Sequence, residues 1–260
     1  MAAAAAASAG GHLELRPDPF DPGSVELLID GVEQSHVDHA HPDRLFYDYV
    51  RRIGTVLDLA APVHEPITTL HLGAGALTLA RYLQVTRPGS EQHAVELEPD
   101  LVPFVLGRLP LPRGTRLTAH TGDAAAVLTR SALGGPVDDA SAAGPPPGHF
   151  DVVIADLYRG TVTPEHLRTA VFFELVAGHL TPDGILVVNV ADDDGLPALT
   201  SLRAAIASTL PHGLVTGPAS VLQDARAGNV VVIARRTPLP GSWRGALAAA
   251  GPHPAAVQEF

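Results

Sequence analysis

Over most of the chain, short apolar segments alternate with amphipathic ones. Runs rich in β-branched residues, such as ITTLHLG at 67–73, FDVVIADLY at 150–158 and GILVVNVAD at 184–192, predict buried strands. Segments with apolar residues three and four apart, such as LTLARYLQVTR at 77–87 and LPALTSLRAAIASTL at 196–210, predict the helices between them. This alternation predicts an α/β fold with a doubly wound, mostly parallel sheet that is covered by helices on both faces.

The pattern changes at both ends of the chain. The turn dipeptide formed by Asp30 and Gly31 separates two β-like runs and predicts a hairpin, while helical spacing over 43–59 predicts an amphipathic helix. The alanine-rich start has neither the basic residues nor the leucine-rich core of a secretory signal, so we expect it to be disordered. Beyond the last predicted strand we expect at most a short helix. Four regions result: a tail at 1–12, a β-hairpin and gating helix at 13–61, the α/β domain at 62–236 and a C-terminal extension at 237–260.

Composition narrows the classes of function. The chain has 28 acidic and 17 basic residues and a formal net charge of −11, without the clustered cations that a nucleic acid backbone or an anionic membrane would require. Cysteine is absent, which excludes disulfides, thiolate nucleophiles and cysteine-bound zinc and fits a reducing cytosol. No apolar run approaches the roughly 18 residues of a membrane helix. We therefore expect a cytoplasmic protein whose partners are neither nucleic acids nor membranes.

Glycines and acidic residues follow three successive predicted strands. Gly73 and Gly75 form a Gly-x-Gly turn, Glu96 ends the next strand and Asp123 follows the third. The carboxyl ends of parallel strands share one edge of a sheet, where glycines admit a nucleoside and an acidic residue binds its ribose. Taken singly, these are an ordinary tight turn and a helix N-cap at Asp123. Together they predict a nucleoside site, and Thr78 in place of a third glycine disfavours a dinucleotide.

Asp156 lies at the carboxyl end of the fourth predicted strand of the domain. This architecture places reacting groups at that end, so Asp156 is the candidate catalytic residue. Asp151 opens the same strand at the opposite edge of the sheet, and we interpret it as structural.

Three histidines, His36, His39 and His41, fall within six residues. Imidazoles are common zinc ligands, but this spacing matches no metal signature. A pH-sensitive surface loop is the favoured interpretation, and we expect no metal.

These motifs resemble those of the spermidine synthases (polyamine aminopropyltransferases), particularly their actinobacterial spermidine-synthase-like relatives. The resemblance runs from about residue 27 to residue 236 and is carried by IDGVEQS, DRLFYDY, LHLGAGALTLAR, VELEPD, HTGDA and DVVIADLYRG. The glycine turn and the first two acidic residues are shared with class I methyltransferases. The resemblance implies a seven-stranded, class I methyltransferase-like Rossmann domain behind a small N-terminal β-hairpin region, and it suggests a homodimer.

The resemblance also implies a role for each matching residue. Glu96 would bind the ribose and Asp123 the adenine amine of a sulfonium nucleoside, either decarboxylated S-adenosylmethionine or S-adenosylmethionine. Asp156 would accept a proton from the attacking amine. The implied set comprises cofactor-binding residues, substrate-binding residues and one catalytic residue: Gln34, Gly73, Gly75, Glu96 and Asp123; Tyr47 and Tyr158; and Asp156.

The chain departs from the family at two carboxylates. Ala76 replaces the aspartate of the family's GGGDGG segment, and Arg159 replaces the second carboxylate of a DSSDP-like segment. If Arg159 points inward, it repels the distal ammonium of a diamine such as putrescine. Alternatively it points to solvent, or the acidic residues at 192–194 replace the missing carboxylates. Those residues are also typical of a solvated turn that caps a helix.

The resemblance implies a transferase that moves an aminopropyl group to a small-molecule amine acceptor by direct displacement at the carbon beside the sulfonium. Neither a metal nor a nicotinamide is required. Loss of the carboxylate at Ala76 leaves methyl transfer from S-adenosylmethionine open. Loss of both carboxylates leaves open a non-catalytic nucleoside-binding protein. The sequence does not identify the acceptor.

Overall fold

The computed structural model describes residues 4–8, 11–132, 148–158 and 162–260. A four-stranded antiparallel sheet comes first in the chain. Its strands, in sheet order, are β1 (Ala4–Ser8), β2 (Gly11–Pro17), β3 (Ser24–Ile29) and β4 (Val32–Asp38). Asp30 and Gly31, both with positive φ, form the turn between β3 and β4, so the predicted hairpin is present.

The expected disordered tail is wrong for the described residues before residue 13. Ala4–Ser8 pairs with β2 along its whole length, and β2 itself begins at Gly11. Leu13 and Leu15 of β2 are buried on one face, which is the alternation of a half-buried strand. The alanines of β1 join through their backbone groups, a contribution that side-chain pattern does not reveal.

The main sheet has eight strands in the order β12-β10-β11-β9-β8-β5-β6-β7. Its strands are β5 (Thr68–Leu72), β6 (Glu91–Glu96), β7 (Arg116–Thr121), β8 (Phe150–Ala155), β9 (Leu180–Asp192), β10 (His212–Pro218), β11 (Gly228–Arg235) and β12 (Ala255–Glu259). The strands β5 to β9 run parallel, whereas β11 is antiparallel to both of its neighbours. The doubly wound, mostly parallel fold is therefore confirmed, with one strand more than the seven expected.

The helices are α1 (Asp48–Leu59), α2 (Thr78–Thr86), α3 (Leu101–Leu106), α4 (Ala124–Ala132), α5 (Ala170–Gly178), α6 (Pro197–Ala207), α7 (Ala219–Asp224) and α8 (Ser242–Ala250), with a 3₁₀ helix at Glu165–Arg168. The C-terminal extension thus supplies α8 and the extra strand β12, contrary to the single short helix expected. The strand β12 pairs with β10, which is distant in sequence.

In the described part of the chain, no helix has both the length and the apolar character to cross a bilayer.

Both faces of the sheet are covered. Val153 and Ala155 of β8 pack into a cluster with α4, α5 and α6, whereas Val152 and Ile154 pack into a cluster with α1, α2 and α8. Successive residues of a strand point to opposite faces, so a strand covered on both sides is apolar at every position. This explains the apolar run at 152–155 that helped to predict β8.

A buried arginine fixes the end of α1. Arg87 is 2% exposed, and its three guanidinium nitrogens donate to five main-chain carbonyls at 2.7 to 3.0 Å. The acceptors are Leu57, Asp58, Ala61, Pro62 and Glu65. These bonds satisfy the carbonyls at the end of the helix and in the following turn. They therefore hold α1 against the sheet.

We expect Arg87→Leu to lower the free energy of unfolding by about 3 kcal/mol or more, because several buried carbonyls lose their donor at ~1 to 3 kcal/mol each. Urea unfolding measures the change. The control is Arg51→Leu, which alters an exposed residue of α1 and should stay within about 0.5 kcal/mol. Equal unfolding midpoints for the two variants would show that the Arg87 bonds do not stabilise the fold.

Candidate active site

A cavity of about 920 Å³ lies at the carboxyl ends of the central parallel strands, where the strand β4 faces them. The structure brings all eight sequence-predicted site residues to its walls. They are Gln34, Tyr47, Gly73, Gly75, Glu96, Asp123, Asp156 and Tyr158. Their placement follows from the parallel order of the strands, which collects the strand ends at one edge. The roles assigned to them stay predictions.

The glycine turn allows two close approaches. Gly73 has φ of +90°, and a Cβ there would lie 2.3 Å from the carbonyl oxygen of Asp156. Gly75 has φ of +48°, and a Cβ there would lie 2.5 Å from Oγ of Ser35. The same hydroxyl accepts a hydrogen bond from the backbone N–H of Ala76 at 3.1 Å. The turn thus touches both the end of β8 and the strand β4, and a side chain at either glycine would separate them.

Glu96 is held at the end of β6 by two backbone donors. Its Oε2 accepts from the N–H of Ala74 at 2.9 Å, and its Oε1 accepts from the N–H of Glu98 at 3.0 Å. These bonds fix the carboxylate beside the glycine turn. Each carboxylate oxygen retains a further lone pair for a ligand hydroxyl.

Asp123 caps a helix, which is one of the two interpretations that its sequence position left open, while its role toward adenine stays a prediction. Its Oδ1 accepts from the N–H of Ala126 at 3.1 Å, which caps α4, and its Oδ2 lies 2.8 Å from Nε2 of His166. Partial burial acts to raise the pKa of Asp123, but the hydrogen bonds from His166 and Ala126 outweigh it, and the pKa is lowered. His166 comes from the 3₁₀ helix, and the sequence carried no signal for it.

Asp156 sits among polar partners in a largely enclosed part of the cavity. Nδ2 of Asn189 donates to its Oδ1 at 2.9 Å, and the hydroxyl of Tyr49 donates as well. Oδ1 of Asn189 in turn accepts from Asn229 at 3.0 Å, which fixes the orientation of the amide. Burial raises the pKa of Asp156, and the two donors only partly offset that rise. Asp156 is therefore a stronger base than an ordinary aspartate.

The hydroxyl of Tyr158 makes two hydrogen bonds with the backbone near the end of β9. Its hydroxyl accepts from the N–H of Ala191 at 2.6 Å and donates to the carbonyl of Asn189 at 3.1 Å. Burial raises the pKa of Tyr158, so the phenol stays neutral. Two residues of this region were missed. Tyr49 stands two positions after the predicted Tyr47, and Asn189 is a polar residue inside an apolar strand, which is a usable signal.

The wall beside Asp156 comes from the start of α1 and from β4. The rings of Tyr47 and Tyr49 stack with centroids 6.0 Å apart and planes 8° apart. The hydroxyl of Tyr47 donates to the carboxylate of Glu33, while Gln34 follows on the same strand. Burial and Glu33 raise the pKa of Tyr47. The predicted helix over 43–59 begins only at Asp48, so Tyr47 is its extended N-cap residue.

The three clustered histidines do not share one environment. His36 is 5% exposed, bonds Oδ2 of Asp18 through Nε2 at 2.9 Å and stacks on Phe46. His39 and His41 are exposed. The surface-loop interpretation is therefore wrong for His36, because its ring is buried against Asp18 and Phe46. Among the described residues, no three histidine, aspartate or glutamate side chains converge as a metal site requires.

The two positions that depart from the family differ in what the structure shows. Ala76 is 1% exposed, packs with Leu13 and Leu15 of the N-terminal sheet, and is absent from the cavity walls. Arg159 lies outside the described residues, so both orientations predicted for it stay predictions.

The acidic turn after β9 is a helix cap. Asp192 accepts from the N–H groups of Ala198 and Leu199 at 3.1 and 2.7 Å, at the start of α6. Asp194 accepts from the N–H of Ala227 at 2.8 Å. Neither aspartate lines the cavity of Asp156, so they do not replace the missing carboxylates there.

The cavity is strongly acidic. Four carboxylates line it: Glu33, Glu96, Asp123 and Asp156. Lysine and arginine are absent from the described lining residues. Burial lowers the pKa of the lining residue His71 to about 4, so this imidazole is neutral near pH 7. The cavity therefore favours cationic ligands.

We expect His166→Ala to raise the pKa of Asp123, since the variant removes the bond that opposes partial burial. The Asp123 carboxyl is followed by carbon-13 NMR across an acid titration. The lowered pKa of the parent contributes stability that is lost as pH falls through it, so the variant should lose less stability over that range. An unchanged titration would show that the bond to His166 does not form in solution.

Comparisons with known proteins agree with this geometry. No protein-family model matches the chain. The polyamine aminopropyltransferase of Vibrio vulnificus (strain CMCP6) is 28% identical over 146 residues, which cover 56% of this chain and 44% of that protein. The matched part thus spans less than half of the relative's length.

Two solved structures are also similar. The probable spermidine synthase from Corynebacterium glutamicum ATCC 13032 covers 100% of this chain and 91% of its own, with a TM-score of 0.83 and 26% identity. A spermidine synthase in complex with the transition state analogue AdoDATO covers 92% of this chain and 75% of its own, with a TM-score of 0.63. At 15% identity this second likeness shows the shared fold alone. The sequence match and the full-length structural match make the chain similar to polyamine aminopropyltransferases and spermidine synthases.

Proposed function

We propose that this protein transfers an aminopropyl group from decarboxylated S-adenosylmethionine to an amine acceptor, with Asp156 as the proton acceptor. The observation that carries the proposal is the acidic cavity, with four carboxylates and no lysine or arginine among its described lining residues. The donor has a sulfonium and a primary ammonium, and its acceptor is a second cation. Each carboxylate about 5 Å from such a charge contributes roughly 3 kcal/mol of attraction at an effective dielectric near 20. The names of the aminopropyltransferase and spermidine synthase relatives support the same chemistry.

The strand ends would bind the nucleoside. Glu96 would accept from the ribose hydroxyls with the lone pairs that its two backbone donors leave free. Asp123 would accept from the adenine amine, and the Gly73 turn would let the backbone lie close to the ligand. The reacting carbon would then face Asp156.

The chemical step is a direct displacement. The lone pair of the free amine forms the new C–N bond, the C–S bond breaks with its electrons going to sulfur, and a neutral thioether leaves. The attacking nitrogen loses a proton, which Asp156 accepts. Deprotonating an amine of pKa about 10.5 near pH 7.5 costs about 4 kcal/mol. A carboxylate whose pKa is raised by burial, and which Asn189 and Tyr49 hold in place, lowers that cost.

Methyl transfer from S-adenosylmethionine is the second candidate, which the sequence left open because Ala76 replaces a carboxylate. S-adenosylmethionine carries a carboxylate that the decarboxylated compound lacks. The described cavity walls offer no lysine or arginine to bind that group. We therefore expect calorimetry to show that decarboxylated S-adenosylmethionine binds at least about tenfold more tightly, or about 1.4 kcal/mol. Preference for S-adenosylmethionine would contradict the proposed donor.

A non-catalytic nucleoside-binding protein is the other alternative. Release of methylthioadenosine when the protein is incubated with decarboxylated S-adenosylmethionine and a pool of amines would exclude it.

We expect Asp156→Asn to reduce turnover about a hundredfold or more, while affinity for the uncharged nucleoside methylthioadenosine stays within a few fold. The parent should lose kcat/KM as pH falls through the raised pKa of Asp156, and the variant should lack that acid limb. Because burial raises this pKa, the charged carboxylate destabilises the fold at neutral pH, so the variant should be no less stable.

The matched control is Asp151→Asn at the opposite end of the same strand. Asp151 accepts from the N–H and hydroxyl of Thr68, both at 2.9 Å, far from the cavity. Its variant should lose about 1 kcal/mol of stability and keep its turnover. Unchanged turnover in Asp156→Asn would show that Asp156 is not the base.

A further inference from the structure

Two carboxylate–tyrosine pairs stand side by side on one wall of the cavity. The hydroxyl of Tyr49 donates to Asp156, and the hydroxyl of Tyr47 donates to Glu33. The two rings are nearly parallel, with centroids 6.0 Å apart. Both tyrosines come from the first residues of α1 and its N-cap, so one short segment sets their spacing. A tyrosine that donates to a carboxylate therefore occurs twice on this wall, and the two rings lie 6.0 Å apart.

The proposed reaction gives Asp156 a specific role, but it does not say which charged group of a ligand Glu33 would meet. Glu33 lines the cavity but is exposed at its mouth. No described lysine or arginine lies within salt-bridge distance of it. Glu33 thus has the Tyr47 hydroxyl as a donor but no described lysine or arginine as an ionic partner. A carboxylate next to an aromatic side chain is a suitable environment for an organic ammonium, which bonds the carboxylate and interacts with the ring.

We propose that Glu33 and Tyr47 form a second ammonium subsite in the cavity that Asp156 also lines; this inference rests on the proposed function. The ammonium would donate to the Glu33 carboxylate and lie against the Tyr47 ring. Each bond of an extended alkyl chain advances about 1.25 Å, so the nitrogens of a four-carbon diamine lie roughly 6 Å apart. That length is comparable to the 6.0 Å between the ring centroids of Tyr47 and Tyr49. Glu33 would thus supply a carboxylate that the chain lacks at position 159.

The ammonium has two possible sources, which share one chemistry. It is either the distal ammonium of a diamine acceptor or the primary ammonium of the decarboxylated donor. Two matched ligand pairs separate them. The compound 1,4-diaminobutane differs from 1-aminobutane by one ammonium, and decarboxylated S-adenosylmethionine carries an ammonium that methylthioadenosine lacks.

The experiment measures binding of these four ligands by calorimetry at low ionic strength to the parent, to Glu33→Gln and to Glu14→Gln. Glutamine at 33 keeps an acceptor for Tyr47 and removes only the charge. Glu14 lies on β2 of the same sheet, away from the cavity walls, so its variant controls for net charge. Binding rather than turnover is measured, so the test stands even where Asp156 proves not to be catalytic.

We expect Glu33→Gln to weaken one ammonium-bearing ligand about tenfold and its matched partner less than twofold, with the loss shrinking at high salt. Loss confined to the diamine assigns the subsite to the acceptor, and loss confined to the decarboxylated nucleoside assigns it to the donor. Equal affinities in Glu33→Gln and Glu14→Gln for all four ligands would overturn the inference. So would failure of the parent to bind either ammonium-bearing ligand.

Discussion

The site depends on the close approach of the ends of β5 and β8. The N–H of Asp156 donates to the carbonyl of Leu72 at 2.9 Å, and its own carbonyl lies where a Cβ at Gly73 would be. Only glycine permits this contact with φ in the left-handed region. Because the turn contacts the backbone of Asp156, a nucleoside bound as proposed at the turn would lie close to that carboxylate. One backbone contact thus couples the binding half of the site to its chemical half.

Enclosure of Asp156 has opposite effects on stability and on chemistry. Removing a carboxylate from water disfavours its charged form, and the donors Asn189 and Tyr49 compensate only in part. Because the ionised form is less stable, the carboxylate accepts a proton more readily. The energetic cost is offset when cationic ligands enter an acidic cavity, since each new charge pair stabilises the carboxylates. Binding of a cation near Asp156 would therefore stabilise the ionised form of this carboxylate.

The main sheet and the acidic strand ends could be predicted because they depend on local pattern and on strand order. Asp123 and Asp156 follow their strands directly, so placing the strands also places them. His166 could not be predicted, because the segment that brings it to Asp123 is positioned by tertiary packing. The strand β1 was missed because alanine contributes little to a side-chain pattern. The strand β12 was missed because its partner, β10, lies far away in sequence.

The carboxylates that the resemblance leads us to expect at positions 76 and 159 are not required for the cavity to attract cations. Electrostatic attraction depends on distance and dielectric rather than on the element that carries the charge. Position 76 is buried against the N-terminal sheet, where a carboxylate would lack partners and would not face the cavity. Glu33, on β4 of that same sheet, does face it. An acidic group contributed from the sheet side can therefore keep the cavity cation-selective while the glycine turn packs against apolar residues.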